Sequence, residues 1–179
     1  DNDLDPITVV DVDGNVYQTV TIGNQIWMKQ NLKATRYRNG EPINYITDAA
    51  DWSNATAGAY CVYANDAVAN TAYGMLYNGF AVQDGRNIAP SGWHVATDAE
   101  WTILVDELGG TTVAGGKLKE AGFEHWQTPN DGATNESGFT ALGAGLRGGS
   151  GNFNGIMDYG YWWTSTSYSN DANWNRSTG

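Results

Sequence analysis

The clearest helix signal in the chain is the stretch TDAEWTILVDELGG at residues 97–110. Thr97 followed by Glu100 matches a capping box, a pattern that begins helices. Four apolar residues follow at the i, i+3, i+4 and i+7 spacing of one helix face, and Gly109-Gly110 supplies the stop. We therefore predict a helix with its apolar stripe in the core and its acidic residues on the solvent side. The residues of the stripe are Trp101, Leu104, Val105 and Leu108.

Turn signals interrupt the rest of the chain, so its other elements are expected to be short. The chain has 23 glycines and 8 tryptophans, and only 16% of its residues are charged. That profile is typical of many turns, aromatic anchors and few long surface helices. Residues 7–28 predict three antiparallel strands, with hairpin turns at Asp13-Gly14 and Gly23-Asn24. Further strand pieces are predicted near 34–38 and 59–63, and short helices within 73–82 and 114–122.

The string DVDGN, which begins at Asp11, also resembles the start of a calcium-binding loop. A full loop closes with a glutamate at its twelfth position. That position falls at Ile22 or Gly23 in this chain, so the hairpin interpretation is favoured. We predict no cofactor and no metal, with Ca²⁺ left open because the chain is acidic.

Composition excludes several classes of function. The net charge of −11 disfavours nucleic acid and anionic lipid as partners. One cysteine, Cys61, and two histidines, His94 and His125, exclude a cysteine-based zinc cluster and a histidine-rich metal centre. No apolar run is long enough for a membrane span. We predict an acidic tail at 1–6 and a single domain at 7–179.

The chain contains no strong catalytic motif. GAGLRG at 143–148 spells a dinucleotide fingerprint but lacks the surrounding βαβ pattern, and no P-loop or nucleophile elbow is present. The chain has 20 acidic residues, and the sequence gives no basis for choosing two of them as a catalytic pair. Cys61 lies in the half-buried strand pattern AYCVY, and His94 is better explained as a structural residue than as a base. We therefore predict that the protein is not an enzyme.

The last third of the chain combines aromatic residues with Asn, Ser, Thr and Gly. That mixture suits protein-binding surfaces and also sugar binding, in which rings stack on sugar faces. The alternative for GYWWTSTSY, from residue 160, is a core strand covered on both faces, and we favour it. The following SNDANWNRS is then the better contact surface. The predicted ligand-binding residues are Asn152, Asn154, Tyr159, Tyr168, Asn170, Asp171, Asn173, Trp174, Asn175 and Arg176.

Four strings resemble the Fibrobacter succinogenes major paralogous domain family, found in secreted and surface proteins of Fibrobacter and Bacteroidetes-type bacteria. They are DVDGNVYQTVTIGNQIWMKQNLKATRYRNGEPI, SGWHVATDAEW, GGKLKEAGFEHWQTPNDGATNESGFTAL and YGYWWTSTSY. The resemblance implies an α+β, C-type-lectin-like fold related to sulfatase-modifying-factor domains, with ligands held by late loops at about 147–176. Only Cys61 is present, so the paired-cysteine oxidase chemistry should be absent. Trp174-Asn175 is followed by Arg176, so calcium-mediated sugar binding is not supported.

The resemblance also implies features of the chain ends. Family members commonly continue with a further strand or two, and often carry a cysteine where this chain has Ala89. Two explanations follow: the sequence is part of a longer domain, or the domain itself lacks its last strand and leaves a sheet edge open. The main hypothesis is a secreted or cell-surface binding and adhesion module for a protein or glycan, its acidic start resembling that of surface lipoproteins. The alternative is a filament subunit that binds its own kind by strand exchange, with DNDLDPITVV as the donor.

Overall fold

The computed structural model describes residues 8–169 and 172–179, with side chains for residues 8–167 and 176–179. Within these residues the fold is mixed α+β, with four small sheets and five short helices. The strands are β1 Thr8–Val10, β2 Val16–Ile22, β3 Gln25–Met28, β4 Asn44–Tyr45, β5 Ala59–Cys61, β6 Leu76–Tyr77, β7 Ala144–Arg147, β8 Phe153–Ile156, β9 Gly160–Ser169 and β10 Ala172–Thr178. The helices are α1 Ala49–Ser53, α2 Ala67–Asn70, α3 Gly79–Gln83, α4 Asp98–Glu107 and α5 Ala114–Leu118.

The sheets are mostly antiparallel pairs of neighbouring strands. The first sheet has the order β1-β2-β3, and two hairpins pair β7 with β8 and β9 with β10. In the remaining sheet, β5 lies between a parallel β4 and an antiparallel β6. Among the described residues, no helix is long and apolar enough to cross a membrane.

The predicted three-stranded meander at the N-terminus is confirmed, although its first loop is longer than the sequence indicated. Val10 pairs with Val16, so five residues connect β1 to β2. The Asp11 carboxylate shapes this loop, because it accepts hydrogen bonds from the backbone N–H of Asp13 at 3.0 Å and of Asn15 at 2.9 Å. Burial of Tyr17 and its hydrogen bond to Asp11 raise the pKa of the phenol. Asp11 is therefore a turn-forming residue.

Helix α4 matches its sequence prediction closely. Thr97 is the N-cap, and both halves of the capping box with Glu100 are present. Trp101, Leu104 and Leu108 are buried, as the apolar periodicity predicts. The helix ends before Gly109, whose φ of +99° suits a residue without a side chain.

Two other element predictions were inaccurate. Residues 34–38 form no strand and contribute only an isolated bridge between Arg36 and Pro42. The segment 73–82 is not one helix, because Gly74 has a φ of +79° and β6 follows it. Helix α3 begins later, where the Asn78 side chain accepts a hydrogen bond from the Ala81 backbone N–H.

The buried side chains form three clusters, and β9 contacts two of them. Trp162 packs against the first cluster and Trp163 against the second. At these two positions both faces of β9 therefore contact the core, as predicted for a core strand with aromatic residues on each face, whereas Ser165 and Ser167 further along are exposed. The first cluster contains Ile22, Trp101, Leu104, Leu108, Ala114, Leu118, Phe139 and Ala141. The second contains Tyr37, Ile43, Tyr77, Ala81, Val82 and Ile88, and the third contains Trp52, Ala59 and Cys61.

The buried Arg147 ties the glycine-rich hairpin of β7 and β8 to the residues before α1. Its guanidinium donates to the backbone carbonyls of Ile46 at 2.6 Å, Thr47 at 2.8 Å and Asp48 at 3.0 Å. It also lies 4.6 Å from the centre of the Trp52 ring. A buried cation is tolerated here because carbonyl oxygens and a ring face replace its water.

Two substitutions on α4 test how far the first cluster determines stability. Leu104 is fully buried, whereas its neighbour Ile103 is 55% exposed. Leu104→Ala is expected to lower the free energy of unfolding by about 2–5 kcal/mol, since it leaves a cavity. Ile103→Ala, the matched control, should change it by less than about 0.5 kcal/mol. Urea denaturation measures both, and equal effects would contradict the assignment of the buried face.

Candidate functional site

A cleft of about 990 Å³ lies between the N-terminal sheet, the segment before α4 and strand β9. Its volume is near the upper end of the roughly 300–1,000 Å³ range of small-molecule sites. Residues from widely separated parts of the chain line it, mainly in the ranges 24–32, 73–79, 88–96, 139–149 and 161–163, together with Trp52, Val82, Glu100 and Trp101. No single stretch of sequence therefore encodes this cleft.

Tryptophan side chains dominate the walls of the cleft, and hydrogen bonds hold three of them. The indole N–H of Trp162 donates to Asn31 Oδ1 at 3.1 Å. That of Trp163 donates to the Tyr77 carbonyl at 2.8 Å, and that of Trp27 donates to Gln25 Oε1 at 3.2 Å. Because these N–H groups have partners, the rings offer a ligand apolar surface. The aromatic lining comprises Trp27, Trp52, Tyr73, Tyr77, Trp93, Trp101, Phe139, Tyr161, Trp162 and Trp163.

Ring packing makes one wall of the cleft rigid. The Trp27 and Trp101 rings lie 4.8 Å apart, and Trp101 and Trp162 lie 6.0 Å apart, measured between centroids. Phe139 completes the group at 6.2 Å from Trp162. Aromatic pairs at such separations contribute about 0.5–1.5 kcal/mol each beyond their buried area. This wall is therefore preorganised and costs little to order when a ligand binds.

The segment before α4 contributes Trp93, which is partly exposed, to the lining. Arg38 holds this segment, because its guanidinium donates to the carbonyls of Ala89 and Pro90 at 2.9 Å and also to that of Trp93. The backbone position of Trp93 is thus set independently of its ring. Trp93 is also absent from the three core clusters.

The polar part of the lining consists largely of amides. The charged lining residues are few, and two of them have internal partners: Arg147 binds carbonyls, and Glu100 binds Thr97 and His94. Amides donate and accept hydrogen bonds without adding charge. The cleft therefore suits an uncharged ligand with both apolar faces and hydroxyl groups. The lining amides are Asn24, Gln25, Gln30, Asn31 and Asn78.

His94 and Glu100, both in the cleft lining, form a hydrogen-bonded pair. His94 Nε2 lies 2.8 Å from Glu100 Oε1, and the His94 side chain is 61% exposed. Partial burial acts to raise the pKa of the Glu100 carboxyl, but hydrogen bonds from the backbone and side chain of Thr97 and from His94 outweigh it. The pKa of Glu100 is therefore held below its usual value, and this carboxylate stays charged while it caps α4.

Cys61, the only thiol, is fully buried in β5. Burial raises the pKa of this thiol and outweighs the influence of Arg147. A thiol held protonated and away from solvent is a poor nucleophile. The interpretation of Cys61 as a small buried apolar residue is confirmed.

The structure places the predicted ligand-binding residues in several settings. Asn152, Asn154 and Tyr159 are exposed and do not line the cleft. Arg176 forms an ion pair with Asp98 at 2.7 Å and so ties β10 to α4. The remaining predicted side chains lie outside the described ones; they are Tyr168, Asn170, Asp171, Asn173, Trp174 and Asn175.

Sequence reasoning placed the site in 147–176 and missed most of the cleft. Gly148, Gly149, Trp162 and Trp163 belong to that range, but Trp27 and Trp93 lie far from it in the sequence. The adjacent tryptophans drew attention to the C-terminal third, while the isolated ones resembled ordinary core residues. The high number of tryptophans was the available signal for an aromatic site.

A second group of chemistry-bearing residues lies after α5. Ligand atoms of Glu120, Glu124 and His125 all lie within 4.8 Å of one another. The small number of histidines in the sequence excluded a histidine-rich metal centre but does not bear on a mixed set with two carboxylates.

Comparison with known proteins shows the family of this chain. The family model of the Fibrobacter succinogenes major domain matches residues 20–179. The chain therefore belongs to this family, as the sequence motifs indicated. No curated protein and no solved structure matches the chain.

The hydrogen-bonded Glu100 predicts a measurable acid dependence of stability. Its pKa is lower in the folded state than its ordinary value of 4.5, so the charged form stabilises the fold above that pH. The contribution is lost as pH falls below about 4.5. Glu100→Gln should therefore lower stability at pH 7 and flatten the loss of stability between about pH 5 and pH 3.

Glu107→Gln, at an exposed position of the same helix, is the matched control and should keep the wild-type slope. Urea denaturation at a series of pH values gives both curves. An unchanged slope in Glu100→Gln would show that folding does not lower the pKa of this carboxyl.

Proposed function

We propose that this protein is a non-enzymatic binding module that holds an uncharged oligosaccharide in the aromatic cleft. The observation that carries the proposal is the pairing of tryptophan-lined walls with amide side chains in one cleft of about 990 Å³. The setting we propose is the cell surface or the extracellular space, and the fold class is C-type-lectin-like. Both follow from the family resemblance.

Three features favour a glycan over a charged or wholly apolar ligand. The flat faces of indole rings match the apolar faces of sugar rings, and Trp162 and Trp163 are held by their own N–H groups. Gln25, Asn31 and Asn78 already use their amide oxygens and nitrogens in internal hydrogen bonds. Bonds to ligand hydroxyl groups therefore fall chiefly to Asn24 and to the amide nitrogen of Gln30. Glu100 and Arg147 already have internal partners, which leaves Lys29 as the remaining charged side chain of the lining.

Binding in this cleft does not depend on a bound calcium ion in our proposal. In calcium-dependent lectins, carboxylate and amide oxygens hold the ion that holds the sugar. Here Arg176 follows Trp174-Asn175, and its guanidinium is paired with Asp98. The positive charge of the Arg176 guanidinium would repel a calcium ion bound close to it.

Trp93 provides the sharpest test because it lines the cleft without belonging to a core cluster. The wild-type protein is first screened against an array of neutral oligosaccharides, and the best ligand is then titrated by calorimetry. Trp93→Ala should weaken binding at least tenfold, since buried tryptophans commonly contribute about 2 kcal/mol or more at interfaces. Added EDTA should leave the affinity unchanged.

Tyr159→Ala is the control, because Tyr159 is 49% exposed and lies outside the cleft. It should bind as tightly as the wild type. Loss of binding in Tyr159→Ala but not in Trp93→Ala would move the site to the late loops. Failure of every neutral glycan to bind would contradict the glycan assignment itself.

The runner-up proposal is a subunit of an extracellular filament joined by strand exchange. The observation that favours it is the ladder of β9 and β10, which pairs with no third strand within the described ranges 8–169 and 172–179. An open strand edge can accept a strand from another copy. Thr8–Val10 already pair with β2 in the same chain, so they are not available as the donor. Residues 1–7 lie outside the described residues and are the remaining N-terminal candidate.

Light scattering over a range of protein concentrations, with electron microscopy, separates the two proposals. Strand exchange predicts concentration-dependent assembly that is lost when residues 1–7 are deleted. The deletion spares β1, so the fold should persist. A monomer at all concentrations, or assembly unaffected by the deletion, would rule out this donor.

A further inference from the structure

We propose that Glu120, Glu124 and His125 form a binding site for one divalent metal ion, with Zn²⁺ as the best fit. The three side chains bring one ligand atom each to within 4.8 Å of one another. They lie in the six-residue segment 120–125, shortly after the end of α5. The inference is independent of the glycan proposal, because none of the three residues lines the aromatic cleft.

Two of the three ligands are already oriented. His125 Nδ1 lies 2.9 Å from Glu120 Oε2, and both side chains are only 18% exposed. The Tyr73 ring packs edge-on against the imidazole at 5.2 Å between centroids, which limits its rotation. Such restraint is what supporting contacts provide around metal ligands.

The third ligand can close the site with a small movement. Glu124 is exposed, so its side chain is free to change rotamer. A tetrahedral ion with bonds of about 2.1 Å holds neighbouring ligand atoms about 3.4 Å apart. Because no two ligand atoms in this cluster are more than 4.8 Å apart, the movement needed is at most about 1.4 Å.

The chemistry of the set favours zinc. Imidazole nitrogen and carboxylate oxygen are both ligand types that Zn²⁺ takes, and three protein ligands leave a fourth coordination position open. Ca²⁺ and Mg²⁺ prefer sets made of oxygen alone. Two carboxylate charges also balance the charge of the ion. Without a cation, the negative charges of Glu120 and Glu124 repel each other. The contact between His125 and Glu120 does not remove this repulsion, whereas a metal ion bound between the two carboxylates does.

A small cavity gives the site access to solvent. It has a volume of about 240 Å³, and Glu120 and His125 are among its lining residues. It offers room for a water molecule as the fourth ligand and a path for the ion. Gln18 and Gln30 line the same cavity and can hydrogen-bond such a water, while Lys29, also in the lining, is a competing cation there.

Isothermal titration of the EDTA-treated and dialysed protein with ZnCl₂ tests the site. We expect one Zn²⁺ per chain, with CaCl₂ unable to displace it. Glu124→Gln should weaken Zn²⁺ binding at least tenfold, because even supporting residues change metal affinity by about 10–100-fold. Circular dichroism confirms folding, which this exposed substitution should preserve.

Two control variants separate this site from other surface groups. Glu136→Gln removes a 65% exposed carboxylate that pairs with Lys117, and His94→Asn removes the other histidine. Both should bind Zn²⁺ like the wild type. The proposal is overturned if no saturable binding at one ion per chain is seen, if Glu124→Gln binds normally, or if His94→Asn alone abolishes binding.

Discussion

The alternation of side chains along β9 is the constraint on which the rest of the structure depends. Successive residues of a strand point to opposite faces, so the adjacent Trp162 and Trp163 enter different clusters. Each indole is then anchored by a long-range hydrogen bond, to Asn31 and to the Tyr77 carbonyl. A shift of one residue in this strand would exchange the two rings and disrupt both clusters. The strand thus joins the N-terminal sheet and α4 to the segments around β6 and α3.

The same rings serve stability and the proposed site. Trp162 and Trp163 are partly buried against the core and also line the cleft, so removing either would change folding and binding together. Trp93 differs, because the contacts of Arg38 hold its backbone while its ring lies outside the core clusters. Function can therefore be examined at Trp93 with less effect on the fold than at the other rings.

Local signals in the sequence predicted the elements that depend on neighbouring residues. The capping box of α4, its apolar stripe and the Gly23-Asn24 turn require no distant partner, and all three are present. Predictions failed where contacts with residues distant in the sequence determine the local structure. Residues 34–38 have strand-like composition, but only Arg36 finds a bridge partner. The cleft was also not predicted, because its walls come from segments that lie far apart in the sequence.

The sequence by itself determined the family and, through that resemblance, the mixed α+β class, and it also determined the single strong helix and the contact of Trp162 and Trp163 with the core. Those features follow from motifs and periodicities that extend over a few residues. Only the tertiary structure decided that Arg147 binds carbonyls about 100 residues away, and that Trp27 and Trp93 face one cleft with β9. It also decided how closely the ligand atoms of Glu120, Glu124 and His125 approach one another. The physical reason is that such contacts depend on how the chain packs in space, and sequence spacing does not specify that packing.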